Sequence, residues 1–235
     1  MIGRAIRADL LKLKGKGLWF LVFLAPIGLI AMQALNYGLR YDYLMKQYAD
    51  DVWRYLLENI AMFVPIALLM GITILSSMLA NIEHHTSAWK QLLALPISRY
   101  SVFGAKFVVV IFLLTISCIL LALGSIALGL MLRFGTDIPI VDVAKLAFYP
   151  FIASWPILAF VLWMCMTYRN QSLPITIGVV LAVLSIFPIS EWLPVSWPLA
   201  AFKASQGEVF VGVGFLCGFV VLLLGSIHFN RKDVN

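Results

Sequence analysis

Apolar residues fall along this chain in six long blocks, separated by short polar stretches. A helix rising 1.5 Å per residue needs about 20 mostly apolar residues to cross the hydrocarbon core of a bilayer. Blocks at 18–38, 58–81, 102–132, 146–168, 172–190 and 208–229 meet or approach that length. They predict an all-α membrane protein with six transmembrane helices, forming a single transmembrane domain over 1–235. Pro26 predicts a kink in the first span, and Pro150 and Pro156 fall in the fourth. Such prolines are tolerated in membrane helices when neighbours satisfy the freed carbonyls. Pro174 opens the fifth span and Pro188 closes it, while the third is long enough to tilt or to project beyond the bilayer.

The stretches between the blocks have patterns of their own. In residues 2–16, Ile2, Ile6, Leu10 and Leu13 line one helical face and basic residues occupy the other, which predicts an interfacial amphipathic helix on the inner leaflet. The apolar run that follows is longer than a signal-peptide core and lacks an A-x-A site, so it reads as a retained first span. Residues 39–57 predict an outer loop rich in Tyr, Trp and mixed charge. Residues 188–206 hold Pro188, Trp192, Pro194, Trp197 and Pro198, a bent segment at the outer interface. A re-entrant hairpin and a plain loop anchored by its tryptophans both fit that composition. Gly214 and Gly218 form a GxxxG in the sixth span, a pattern that lets two helices approach closely.

Composition supports the membrane reading: 63% of the residues are hydrophobic and 12% charged, with mean hydropathy +0.99. A soluble domain carries about 25% charged residues. The net charge of +6 does not point to nucleic acid here, because the basic residues sit at the edges of apolar runs. With both termini placed in the cytoplasm, eleven of the seventeen Lys and Arg fall inside, in agreement with the positive-inside rule. Cys118, Cys165 and Cys217 lie within apolar runs and have no metal-ligand spacing.

The chain has no GxxxxGK[ST], HExxH or GxSxG. Within the spans charged residues are almost missing: Glu58 and Lys106 sit at span ends and Arg169 follows the fourth. Ion-coupled transport depends on embedded ionisable groups, so any uphill movement here is expected to draw its energy from a partner. The inner loop between the second and third spans is the richest segment. Thr86 or Ser87 can cap a short helix that ends before Pro96. On it Trp89, Leu92 and Leu93 form one apolar face, suited either to lipid headgroups or to a groove on a cytoplasmic partner. The pair His84-His85 beside Glu83 raises a metal site or an intramembrane enzyme. Adjacent helical side chains point about 100° apart, however, and no third His or Cys is near, so no metal and no catalysis are expected.

The run Glu83-His84-His85-Thr86-Ser87-Ala88-Trp89-Lys90-Gln91-Leu92-Leu93-Ala94-Leu95-Pro96-Ile97-Ser98-Arg99, followed by Gly104-Ala105-Lys106, resembles the coupling segment of ABC-2-type permeases. It is most similar to the lantibiotic and bacitracin self-immunity branch, where W-K-x-L-L-x-L-P follows an acidic residue. The resemblance implies a permease paired with a second copy or a sister permease above two cytoplasmic ABC ATPase subunits. The loop forms a cytoplasmic coupling helix, with Glu83, His84, Trp89, Lys90, Leu92, Leu93, Leu95, Pro96 and Arg99 as the ATPase contact. ATP and Mg are then expected on the ATPase, with no cofactor in this chain. It further implies export of an amphipathic peptide, antibiotic or lipid-like substrate across a bacterial inner or plasma membrane. No large outer domain interrupts the chain, unlike the bacitracin-sensing permeases. The readings that compete are an ion-coupled secondary transporter and a non-transporting membrane assembly subunit.

Overall fold

Each apolar block folds into helix. The computed structural model describes residues 2–13, 16–48, 51–85, 99–187 and 189–231, and no strand occurs among them. The helices are α1 (Ile2–Lys12), α2 (Leu18–Gln47), α3 (Val52–His85), α4 (Arg99–Met131), α5 (Ile140–Ala153), α6 (Trp155–Thr167), α7 (Ser172–Leu184), α8 (Trp197–Lys203) and α9 (Gly207–Arg231). By length and apolarity α2, α3, α4 and α9 can each cross a membrane, and α5 with α6 make a fifth candidate, bent by 46°. The bend falls at Ser154, whose hydroxyl donates to the Phe151 carbonyl at 2.7 Å. Pro156 enters α6 in its first turn, where a missing N–H costs no helical bond.

Four boundaries differ from those expected: α5 starts at Ile140 rather than 146, and three others differ for a local reason. The outer loop at 39–57 is mostly helix. α2 continues to Gln47 through a non-helical residue at Arg40, because Leu44 is buried in the outer core and the Tyr41 hydroxyl donates to the Leu132 carbonyl at 3.1 Å. α3 begins at Val52, six residues early, where the Asp51 carboxylate accepts the Arg54 backbone N–H at 2.9 Å as an N-cap. The fifth apolar block yields only the 13 residues of α7, ending at Leu184 rather than 190. Ser185 turns back there, its hydroxyl donating to the Ala182 carbonyl at 2.7 Å. Thirteen residues span about 20 Å, short of a bilayer core of about 30 Å. The Trp- and Pro-rich segment forms turns and the single short helix α8. There the Trp197 indole donates to the Glu191 carbonyl at 2.8 Å, while Trp192 stays exposed.

Close approaches fix the helix directions. Ile30 meets Gly124 and Tyr41 meets Leu132, so α2 and α4 run parallel. Trp53 lies over Gly129 and Leu114 over Gly71, so α3 runs against α4. Gly214 faces Ala153, Gly218 faces Trp155 and Gly225 faces Trp163, so α9 runs parallel to α5 and α6. The GxxxG pair is therefore used within the chain. A Cβ on Gly214 or Gly218 would come within 2.6 Å of Ala153 or Trp155. Two cores result. The larger gathers Leu75, Phe103, Val110, Leu158 and Leu162, and the outer one gathers Tyr37, Trp53, Leu56, Ile60 and Leu146.

Candidate coupling site

α3 ends at His85 and α4 starts at Arg99, so the two longest helices in the chain flank the predicted coupling segment. Glu83 and His84 occupy the last turn of α3 and Arg99 the first position of α4. Trp89, Lys90, Leu92, Leu93, Leu95 and Pro96 lie outside the described residues, as does the short helix expected there. The side chains of Glu83, His84 and Arg99 lie outside them too. What the structure places is the frame to which that segment is attached.

The frame is held by a buried ion pair that sequence reasoning missed. Lys106, two turns into α4, is 1% exposed, and its Nζ stands 3.6 Å from the Asp9 carboxylate of α1. Asp9 is also buried and lies 3.7 Å from Lys12. A charge withdrawn from solvent is tolerated when it is paired and hydrogen-bonded. The cue was periodicity rather than residue type. Asp9 stands at i+3 from Ile6 and four before Leu13, on the apolar face of α1. Lys106 stands in the stripe of Phe103, Phe107 and Val110 on α4. An acid and a base, each alone on an apolar stripe, imply each other. Leu13 is fully buried and Ile6 and Leu10 pack with it on the main core. The apolar face of α1 thus lies against protein.

A second polar junction lies nearby. Gln171, just before α7, donates to the Cys165 carbonyl at 2.9 Å and the Tyr168 carbonyl at 2.7 Å, and its Oε1 accepts the Ser77 hydroxyl of α3 at 3.2 Å. It ties the turn between α6 and α7 to the half of α3 that leads into the coupling segment. Among the described residues no three His, Cys, Asp or Glu side chains converge as metal ligands would. Cys118 and Cys165 are buried within the apolar helices α4 and α6, and neither forms a disulfide.

The opposite end has another character. A polar hollow of about 650 Å³ is lined by Asp51, Arg54, Glu58, Asp142, Lys145 and Lys203, among others. Arg54 pairs with Glu58 at 2.9 Å, and Lys145 reaches Glu208 at 3.9 Å. These charges are exposed, and the helix starts of α3 and α5 and the end of α8 bring them together.

An all-helical chain with bilayer-length apolar helices, whose two longest flank a short amphipathic loop, is matched by the family model for ABC-2 family transporter proteins over residues 5–185. The chain belongs to that family. No curated protein and no solved structure matches it significantly. The match begins within α1 and ends just after α7, so it takes in the Asp9–Lys106 pair, the coupling segment and the Gln171 junction of this ABC-2 chain. ABC-2 proteins are multi-pass membrane subunits, generally without catalysis of their own, and membership implies an ABC ATPase as partner.

Proposed function

We propose that this chain is the permease subunit of an ATP-binding-cassette exporter and that a separate cytoplasmic ATPase drives it through residues 83–99. The observation that carries the reading is the family match over residues 5–185, which includes that loop. Its position supports the role: a push on the segment is delivered to α3 and α4 at once, and through Lys106 to α1. Trp89, Leu92, Leu93, Leu95 and Pro96 supply the apolar contact, with Glu83, His84, Lys90 and Arg99 as its polar rim. ATP and Mg belong to the ATPase. The assembly holds two permeases, this chain with a second copy or a sister chain, in a bacterial inner or plasma membrane.

Six passages with both termini cytoplasmic are part of the same reading. The parallel course of α9 and α5–α6 supports it, because the chain between them has to return across the bundle, and α7 with the described turns up to α8 lies in that stretch. The cargo we assign is an amphipathic peptide, antibiotic or lipid-like molecule, of the kind handled by the self-immunity branch that the loop resembles. The experiment is co-purification with an ABC ATPase and assay of turnover in wild type and in the W89E/L93E double variant. Loss of ATPase retention and of coupled turnover is expected. Unchanged assembly and turnover would remove the coupling role.

A second reading has one observation in its favour. Asp9–Lys106 is a buried ionisable pair of the type that ion-coupled carriers use. Transport in ATP-free vesicles under a proton or sodium gradient, abolished by K106M, would favour that reading over ours.

A further inference from the structure

On the α6–α9 face, the Trp163 indole donates to His228 Nδ1 at 3.1 Å, with the two rings edge to face at 5.4 Å between centroids. This pair is the shared wall of two hollows. The first, about 260 Å³, is apolar and is closed by Phe160, Val221, Leu224 and Gly225. The second, about 370 Å³, is lined by Thr167, Tyr168 and Arg231 beyond the same pair. The first lies within the apolar length of the helices; the second lies where α6 and α9 end. Neither hollow is lined by a carboxylate among the described residues. Arg231 is exposed, and in the sequence Arg169 follows Tyr168 and Lys232 follows Arg231.

We propose that this continuous groove binds an anionic phospholipid, with one acyl chain against Phe160, Val221 and Leu224 and the phosphate on Arg231. The inference is independent of the transport reading. Three features select that occupant over other apolar molecules. The groove changes from apolar to cationic over about one helical turn, as a lipid does from chain to phosphate. Because Nδ1 of His228 accepts the indole hydrogen, the neutral ring carries its own proton on Nε2, a second donor for a phosphate oxygen. Trp163 and Tyr168 mark headgroup depth, where amphipathic aromatic rings collect. Gly225 leaves room for the Trp163 side chain, whose Cβ and Cδ1 would each stand 3.3 Å from a Cβ at that position. A cation near an anionic leaflet enriches anionic lipid by about fivefold.

The test uses the full chain in nanodiscs whose phospholipid is either acyl-brominated phosphatidylglycerol or acyl-brominated phosphatidylcholine, read by tryptophan fluorescence. Bromine quenches an indole on contact, so a lipid held in the groove quenches Trp163. Quenching by the brominated phosphatidylglycerol in excess of that by the choline lipid is expected. The excess should be lost in W163F and in R231Q, with quenching by the choline lipid unchanged in R231Q. Arg231 is exposed, so that variant keeps the fold. Equal quenching of the wild type by both lipids would overturn the proposal, as would an excess that survives either substitution.

Discussion

The two ends of the helical bundle handle charge in opposite ways. At the end that carries residues 83–99, Asp9 and Lys106 are taken out of water and tie α1 to α4, while Gln171 holds the α6–α7 turn with two hydrogen bonds and joins it to α3 with a third. At the far end, Arg54, Glu58, Lys145 and Glu208 pair in the open, around a hollow of about 650 Å³. Exposed pairs contribute about 0–1 kcal/mol each, whereas a buried pair that loses one partner costs about 3–5 kcal/mol. The contrast suits the proposed drive through residues 83–99. On that proposal, one end needs joints that transmit a displacement without slack, and the far end needs contacts that separate readily.

The sharpest way to break the comparison is at Lys106. K106M removes one charge of the buried pair and leaves the Asp9 carboxylate without it, which is expected to cost about 3–5 kcal/mol. Thermal unfolding of the purified chain in detergent measures it. The double variant D9N/K106M, which removes both charges of the pair, should recover most of the loss, and the difference between single and double variants reads the coupling. A K106M protein as stable as wild type would mean that the inner end is not clamped by this pair.

Much of this was legible before any coordinates, because hydrophobic length is a strong signal and membrane helices depend on it. The first, second, third and sixth blocks became long helices at nearly the expected positions. The fourth bends where its prolines stand. The misses share one cause: polar residues on a helix look like loop until their partners are known. Residues 39–57 read as a loop because Tyr41, Asp42, Asp51 and Arg54 are polar, yet Asp51 is a cap and Leu44 is core. The α7 block read as a full span from its apolarity alone, although nothing in apolarity fixes where the turn at Ser185 falls. Lys106 read as a span-end cation because its partner lies 97 positions away, on a helix whose face was assigned to lipid. The coupling segment itself, the site on which the functional reading rests, lies outside the described residues. Its assignment therefore stands on the family match and on the two helices it joins.

A smaller effect sharpens the inner half of the comparison. Q171A removes two donors to the Cys165 and Tyr168 carbonyls and the acceptor for Ser77. A typical hydrogen bond contributes about 0.5–1.5 kcal/mol net, and the group left unsatisfied adds to the cost. The expected loss is about 1–3 kcal/mol by the same unfolding measurement, between those of the two ion pairs. The variant should also loosen the α6–α7 turn, seen as faster amide hydrogen exchange at 168–172 with little change in α4. Uniform exchange across the bundle would show that Gln171 supports global stability rather than this joint.

The smallest effect tests the outer half. Arg54 and Glu58 stand one helical turn apart on α3, with side chains 74% and 49% exposed. Coulomb attraction is weak in water, and two long side chains lose rotamer freedom to hold one geometry, so the pair adds little to stability. R54A is expected to leave the unfolding midpoint almost unchanged, and the residual effect should disappear in high salt, because exposed charges are screened within about 3 Å at 1 M. The Asp51 cap survives the substitution, since it accepts the backbone N–H of residue 54 and not its side chain. A loss above about 1 kcal/mol, insensitive to salt, would mean that the outer charges are clamped like the inner ones, and the difference between the two ends would vanish.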